Sequence, residues 1–391
     1  MQDALNTILE AAVDRGDIAH ATAIVTDANG VLYQGQCGPR QMGDAEPLTK
    51  DTIFWIHSMT KPLVAAAVMQ LVEVGRVGLD DNCGDLVPSL KAPRVLEGFD
   101  ASDRPILRPV NGTITLRQLL THTAGFVYDM WNADQYKWLK QAGLKRDNYY
   151  DDPAQCPPLA RDPGTAWEYG INIDWAGKVL EALTGGTLDA YLQQYLFKPL
   201  AMNSTGFVVT ESIRGRLSGV HKRDETGVIT SVPFVPPLNL DPTLLTGGGG
   251  LYSSAQDYAR FMRMMLNQGT LDGVQVLRPE TVATMSANQI GDIPVRGLPS
   301  SMPKMTFPFD FYPDVEKRWG LSYMINMADI PGARRSGSLA WGGLRNTYFW
   351  IDPTSSIGAA IFTQMLPFAD PKTLALCDAF ERSVYAASGR A

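Results

Sequence analysis

A serine and a lysine three residues apart, Ser58 and Lys61, stand at the start of a strongly apolar stretch. A serine hydroxyl attacks an acyl carbon efficiently only when a base within hydrogen-bond reach takes its proton. A lysine can act as that base when burial and the positive end of a helix disfavour its ammonium form. Residues three apart in a helix share one face. The spacing therefore predicts a nucleophilic serine assisted by a lysine.

The residues that follow Ser58 predict a buried helix that begins at this point. Positions 63–69 are apolar on every face, and the run ends near Gly75, which is typical of a helix enclosed by the core. Pro62 fits a helix only in its first turn, where the backbone N–H groups have no intrahelical partner. Ser58 is thereby predicted to lie at the helix N-terminus.

The serine–lysine pair alone is a weak signal, because a chain of this length contains about one or two such pairs at this spacing by chance. Four further segments make the signal more specific. They are residues 116–126 (LRQLLTHTAGF), 163–169 (PGTAWEY), 246–254 (TGGGGLYSS) and 341–343 (WGG). Together with the Ser58 segment they resemble the β-lactamase-like serine hydrolases, which include class C β-lactamases, D-Ala-D-Ala peptidases and family VIII carboxylesterases. The resemblance covers most of the chain and is greatest to the family VIII carboxylesterases.

The resemblance assigns Tyr169 as the partner of Ser58 and Lys61 in proton transfer. A phenol beside an ammonium can share its proton and later pass one to the leaving group. Related enzymes usually continue with a small residue and an asparagine that holds the substrate amide, whereas this chain continues Gly170-Ile171. Asn172 follows one residue later, and we expect it to substitute, with Ile171 beside it at the substrate.

A second assignment concerns Trp341-Gly342-Gly343, where β-lactamases carry Lys-Thr-Gly. An indole in place of an ammonium removes the anchor for an anionic β-lactam and offers an apolar wall to an uncharged acyl group. The resemblance places the oxyanion hole at the backbone N–H groups of Ser58 and Leu344. Glycine at 342 and 343 is expected to let substrate approach the strand closely, so that bulky replacements hurt activity more than stability.

The pattern of apolar residues predicts a mixed α/β (α+β) protein of the β-lactamase/transpeptidase-like fold, with an antiparallel sheet flanked by helices and a mostly helical lobe. Strands are expected at 21–27, 31–35, 320–326, 347–351 and 357–363, and helices at 1–15, 115–123, 174–183, 188–196, 254–266 and 372–387. We expect one domain from residues 1–75 together with 316–391, and a helical insertion at 76–315. The active site is predicted to lie between them.

The composition of the chain argues against nucleic-acid binding and against a membrane-spanning segment. A net charge of −7 and a pI near 5.2 disfavour nucleic-acid binding, which needs clustered cationic side chains. No apolar run is long enough to span a bilayer, and the N-terminal residues lack the features of a signal peptide. We therefore expect no membrane association and a cytoplasmic location, or a periplasmic or secreted one if a signal peptide has been removed. The oligomeric state is left open.

Other chemistries find less support in the chain. His122 and His57 are expected to be structural, and no G-x-S-x-G elbow accompanies a histidine as an α/β-hydrolase would require. The cysteines and carboxylates show no metal-binding spacing, so no metal and no cofactor are expected. Aromatic residues within 128–150 and the loop 302–312 could line an acyl pocket or simply pack the helical lobe.

The sequence as a whole favours a serine carboxylesterase that hydrolyses short or uncharged acyl esters through a covalent acyl-enzyme. The expected partner is a small-molecule ester. Transfer of the acyl group to an alcohol is an alternative, because only access of the acceptor separates it from hydrolysis. β-Lactamase or D,D-peptidase activity with weak β-lactam hydrolysis is a second alternative, which Trp341 and Ile171 disfavour. A non-catalytic binding protein is disfavoured by the presence of Ser58, Lys61 and Tyr169.

Overall fold

The computed structural model describes residues 1–144, 149, 150, 152–234, 236, 241 and 245–390. Its largest sheet has seven strands, and every neighbouring pair is antiparallel. In spatial order the strands are Lys317–Trp319, Met324–Asn326, Leu339–Gly343, Thr347–Asp352, Ile357–Phe362, Ala21–Thr26 and Val31–Cys37. Strands from both ends of the chain thus pair in one sheet; the division into two domains at 75/76 and 315/316 stays a prediction.

The two strands predicted at 21–27 and 31–35 pair as an antiparallel hairpin near the N-terminus. Asp27 accepts hydrogen bonds from the backbone N–H groups of Asn29 and Gly30 through its carboxylate, the local pattern that makes aspartate favourable in turns. The strand Ala21–Thr26 is buried throughout and pairs with Ile357–Phe362 on its other side. Such a strand is covered on both faces, which explains its largely apolar sequence.

Helices cover both faces of this sheet. Successive residues of a strand point to opposite faces: Phe349 contacts Tyr258 of the helix Ala255–Leu266, and the next residue, Trp350, contacts Phe380 of the helix Pro371–Ser388. The helix Gln2–Asp14 packs beside the latter. The predicted antiparallel sheet flanked by helices is therefore confirmed.

The helix that follows Ser58 spans Thr60–Glu73, and almost all its residues are buried. It packs against the helices Asn172–Thr184 and Leu188–Leu192. The other α-helices are Leu116–Leu120, Ala133–Ala142, Glu211–Arg214 and Pro279–Ser286. Within the described ranges, no helix combines the length and the apolar character that crossing a membrane requires.

Small sheets complete the fold. One pairs Ile53–Trp55 with Tyr252–Ser254, and another pairs Arg94–Phe99 with Pro105–Pro109. A three-stranded sheet joins Met365–Leu366, Val220–Arg223 and Ile229–Val232, and a short hairpin joins Thr270–Leu271 and Val274–Gln275. The pairing of Trp55 with Tyr252 brings the segment before Ser58 beside the glycine-rich residues 247–250.

Three predicted elements differ most from the structure in extent. Residues 320–326 form a turn followed by the short strand Met324–Asn326, because Ser322 takes a left-handed φ of 78° between paired Trp319 and Met324. The helix predicted at 115–123 has the expected Thr115–Gln118 capping box but ends at Leu120. The helix predicted at 188–196 ends at Leu192 and continues as a π-helical turn, Gln193–Phe197.

Candidate active site

Ser58 lies in a single 3-10 turn, His57–Met59, between the strand Ile53–Trp55 and the helix Thr60–Glu73. His57 has a φ of +43°, an uncommon conformation for a residue with a side chain. Its ring stacks on Trp55 with centroids 4.0 Å apart, and the Trp55 indole N–H donates to the Gly249 carbonyl at 2.8 Å. These contacts hold the turn, so that Ser58 lies at the helix entrance as predicted.

Lys61 is buried and its Nζ is surrounded by oxygen acceptors. It donates to Ser58 Oγ at 3.0 Å, to the Tyr128 hydroxyl at 3.1 Å and to the Gly248 carbonyl at 2.6 Å. Three oxygens match the three N–H groups of the ammonium form, and the neutral amine can instead accept from the Ser58 hydroxyl while it donates to the other two oxygens. The arrangement fixes the lysine nitrogen against the serine hydroxyl and compensates its burial.

Tyr128 is a member of this site that the sequence predicts only as a candidate for an apolar wall. Its hydroxyl contacts Lys61, and its backbone N–H donates to the Tyr169 carbonyl at 3.2 Å. Gly170 permits this close approach, because a β-carbon at 170 would overlap the Phe126 carbonyl and the Val127 backbone. The small residue at 170 therefore allows the segment that carries Tyr169 to pack against the segment that carries Tyr128.

Tyr169 lies beside Lys61, with the lysine Nζ 4.8 Å from the centre of its ring. The Tyr169 hydroxyl oxygen accepts a hydrogen bond of 2.8 Å from the indole N–H of Trp341. Both side chains are more than nine-tenths buried. The structure thus brings Ser58, Lys61, Tyr169 and Trp341 into one connected group.

The strand Leu339–Gly343 packs directly against the turn that carries Ser58. A β-carbon at Gly343 would overlap the backbone carbonyl of Ile56, and one at Gly342 would overlap the ring of Tyr348. The space that these glycines leave is thus filled by the protein itself. This corrects the expectation that their replacement would hurt activity more than stability, because any side chain at 343 pushes the strand away from the Ser58 turn.

A cavity of about 360 Å³ opens in front of Ser58. Leu344 lines it together with Ser58, so both residues predicted to form an oxyanion hole border the same space. Tyr128, Trp131 and Met305 also line it, which assigns part of the aromatic stretch and of the 302–312 loop to the cavity wall. The remaining lining residues are Trp55, His57, Met130, Thr246, Gly248, Gly249, Gly250, Arg345 and Leu366.

The structure does not bring the two residues after Gly170 to this cavity. Asn172 is fully buried, and its amide N–H groups contact His122 Nδ1 and the carbonyls of Phe126 and Glu168. Ile171 lines a different cavity, which has Tyr128 in common with this one. The predicted substitution of Asn172 for the substrate-binding asparagine is thus at odds with the geometry, since the first turn of its helix directs the amide inward.

His122 does not lie inside a helix, which corrects the prediction from sequence. It follows the helix Leu116–Leu120 with a left-handed φ of 59°. Its Nδ1 accepts hydrogen bonds from Asn172 and from the Gly170 N–H. Burial, and then the charge of Lys61, lowers the pKa of His122 well below its usual value. Within the described residues, no three His, Cys, Asp or Glu side chains gather as a metal site requires.

Comparison with known proteins gives consistent results. The Beta-lactamase family model matches residues 5–376. The chain is 29% identical to the lovastatin esterase of Penicillium rubens, over 97% of this chain and 98% of that protein. It is 31% identical to the monacolin J acid methylbutanoyltransferase of Aspergillus terreus, over 98% and 95% of the two chains.

Solved structures agree with these matches. Unliganded simvastatin synthase from Aspergillus terreus superposes with a TM-score of 0.85 at 29% identity, covering 98% of this chain and 97% of that chain. The predicted β-lactamase/transpeptidase-like fold and the resemblance in sequence are confirmed.

Proposed function

The chain belongs to the beta-lactamase family and is an enzyme of the serine hydrolase type, and we propose that it is a carboxylesterase for short, uncharged acyl esters. The observation that carries this proposal is the 3.0 Å contact between Ser58 Oγ and Lys61 Nζ at the wall of a cavity large enough for a small ester. In this position the hydroxyl is accessible to substrate while its proton has an acceptor system beside it.

The reaction runs in two halves. Ser58 Oγ attacks the carbonyl carbon, and the serine proton passes to the group formed by Lys61 and Tyr169. The bond to the alcohol oxygen then breaks, the same group returns a proton to that oxygen, and the acyl group stays on Ser58. In the second half a water molecule attacks the acyl carbon and gives its proton to the same group. The bond to Ser58 Oγ then breaks, the serine regains a proton, and the acid is released.

The negative charge that develops on the carbonyl oxygen is proposed to be bound by the N–H groups of Ser58 and Leu344. The contact between Gly343 and the Ile56 carbonyl supports this role, because it fixes the strand that carries Leu344 against the turn that carries Ser58. Preorganised donors of this kind need no rearrangement as the charge forms.

The preference for an uncharged acyl group follows from Trp341. Its side chain is buried, and its N–H is directed at Tyr169, so position 341 offers no cation to an anionic acyl side chain. Met305, Met130 and Trp131 give the cavity an apolar wall. An acetyl or butyryl group can pack against these apolar side chains without burying a charge of its own.

Acyl transfer to an alcohol is a second candidate, favoured by the similarity over 98% of the chain to a methylbutanoyltransferase. Hydrolysis and transfer share the acyl-enzyme and differ only in the molecule that attacks it. Adding an alcohol to the esterase assay separates them: transfer yields a new ester in preference to free acid.

The test is hydrolysis of p-nitrophenyl acetate, butyrate and octanoate beside the β-lactam nitrocefin, with the wild type and Ser58→Ala. We expect short esters to be turned over and nitrocefin to be barely touched. The matched control is Ser212→Ala, which removes the same hydroxyl from the exposed helix Glu211–Arg214. It is expected to behave as the wild type.

Two outcomes would overturn the proposal. Dominant nitrocefin cleavage would assign the chain to the β-lactam-hydrolysing members of its family. Ester hydrolysis that survives in Ser58→Ala would place the nucleophile elsewhere.

A further inference from the structure

Arg345 places a cation in the wall of the same cavity as Ser58. It directly follows Leu344, and its backbone carbonyl accepts hydrogen bonds from the N–H groups of Gln364 and Met365. The residue is 92% buried. Its position is therefore set by the backbone of the site.

Two aromatic rings hold the guanidinium. Its central carbon lies 4.5 Å from the centre of the Trp55 indole and 4.3 Å from that of the Phe234 ring. The Trp55 ring is itself fixed by its bond to the Gly249 carbonyl. Contacts of a guanidinium with aromatic rings do not use the hydrogen-bonding capacity of its N–H groups.

The charge of Arg345 has no anionic partner within the described part of the chain. Its Nη1 is buried without a hydrogen-bond acceptor, and no carboxylate of the described residues forms a salt bridge with it. None of the described residues that line the cavity is an aspartate or glutamate. Burial lowers the pKa of Arg345 to about 10, so the side chain still carries its charge at neutral pH. A buried cation without a partner is costly unless a ligand supplies the anion.

We propose that Arg345 binds a carboxylate on the alcohol half of the ester substrate. The inference rests on the proposed esterase function and adds the chemical class of the leaving group. A planar guanidinium offers two parallel N–H groups that match the two oxygens of a carboxylate. The acyl half meets the apolar wall around Met305 and Trp131, and the anion lies at the Arg345 end of the cavity.

Two pairs of esters test the proposal. The first pair is 3-(butyryloxy)benzoate and its methyl ester, which differ only in a carboxylate on the alcohol half. The second pair is p-nitrophenyl hydrogen adipate and its methyl ester, which place the difference on the acyl half. We expect the wild type to favour 3-(butyryloxy)benzoate over its methyl ester by roughly 10- to 100-fold in kcat/KM, the value of a charge-assisted hydrogen bond.

Arg345→Gln should bring this ratio to about one, and Arg345→Lys should keep part of it. Arg104→Gln is the matched control, because it removes the same charge from an exposed turn where Arg104 pairs with Asp100. It should leave the ratio unchanged. If Arg345→Gln does not fold, inhibition of the wild type by 3-hydroxybenzoate and by its methyl ester gives the same comparison, and the free acid is expected to inhibit more strongly.

The outcomes separate the two proposals. A methyl ester hydrolysed as well as the acid, or a preference confined to the adipate pair, would overturn the assignment to Arg345 while leaving the esterase intact. Failure of all four esters would overturn the esterase itself.

Discussion

The indole N–H of Trp341 donates a hydrogen bond to the hydroxyl oxygen of Tyr169 at 2.8 Å. The resemblance to β-lactamases implies a lysine in their chains where this one has Trp341, so the indole is a neutral donor in place of an ammonium. A donor at a phenol oxygen favours the form that has lost its proton. Trp341 therefore acts on Tyr169 in addition to removing a positive charge from the site.

Trp341→Phe tests the importance of this bond. We expect kcat for p-nitrophenyl butyrate to fall about tenfold, the effect of one lost hydrogen bond. Trp319→Phe is the control: its indole packs 4.8 Å from that of Trp341, and its buried N–H has no hydrogen-bond acceptor in the described chain. Equal losses of activity in the two variants would show that packing, and not the bond, is what matters.

Tyr128→Phe removes one of the three oxygens around Lys61 Nζ. We expect kcat to fall by about tenfold or more because the lysine is no longer fixed against Ser58. Tyr323→Phe removes a buried hydroxyl that has no partner among the described residues, and it should leave kcat unchanged. Full activity in Tyr128→Phe would exclude Tyr128 from the site.

Gly343→Ala introduces a β-carbon against the Ile56 carbonyl and the Thr347 hydroxyl. We expect a loss of about 1–3 kcal/mol in the free energy of unfolding, together with a lower kcat as Leu344 moves from Ser58. At Gly30 a β-carbon meets open space, so Gly30→Ala should change neither quantity. Urea unfolding and the ester assay measure both. A Gly343→Ala enzyme of normal stability would contradict the contact.

The buried His221 makes stability depend on pH. Burial, and then neighbouring His20, lowers its pKa to about 3, whereas a histidine in an unfolded chain titrates near 6.5. Below about pH 6.5 this histidine is protonated in the unfolded chain but stays neutral in the folded chain, so the free energy of unfolding falls as the pH falls. At pH 5 the loss is about 2 kcal/mol. Unfolding at pH 7.5 and 5.0 should show a smaller difference in His221→Gln, and an equal difference would refute this account.

Local signals in the sequence predict the elements that carry the site. The apolar run after Pro62 identifies the helix Thr60–Glu73 because only a buried helix is apolar on every face. The stretch Ala28-Asn29-Gly30 between two apolar runs identifies the first hairpin, because these residue types favour a turn. The proximity of Ser58 and Lys61 could be predicted because residues three apart in a helix lie on the same face.

Contacts between distant segments could not be predicted in this way. Tyr128 reaches Lys61, and Trp341 reaches Tyr169, across 67 and 172 residues of chain. No periodicity encodes such distances. The inward turn of Asn172 was missed for a similar reason, since its partner carbonyl belongs to Phe126, 46 residues earlier.

The most direct test of the central claim is mass spectrometry of the enzyme quenched with acid during turnover of p-nitrophenyl butyrate. The account predicts a single added butyryl group, located by proteolysis on the peptide that contains Ser58 and absent from Ser58→Ala. A butyryl group on another residue, or turnover by Ser58→Ala at the wild-type rate, would contradict it.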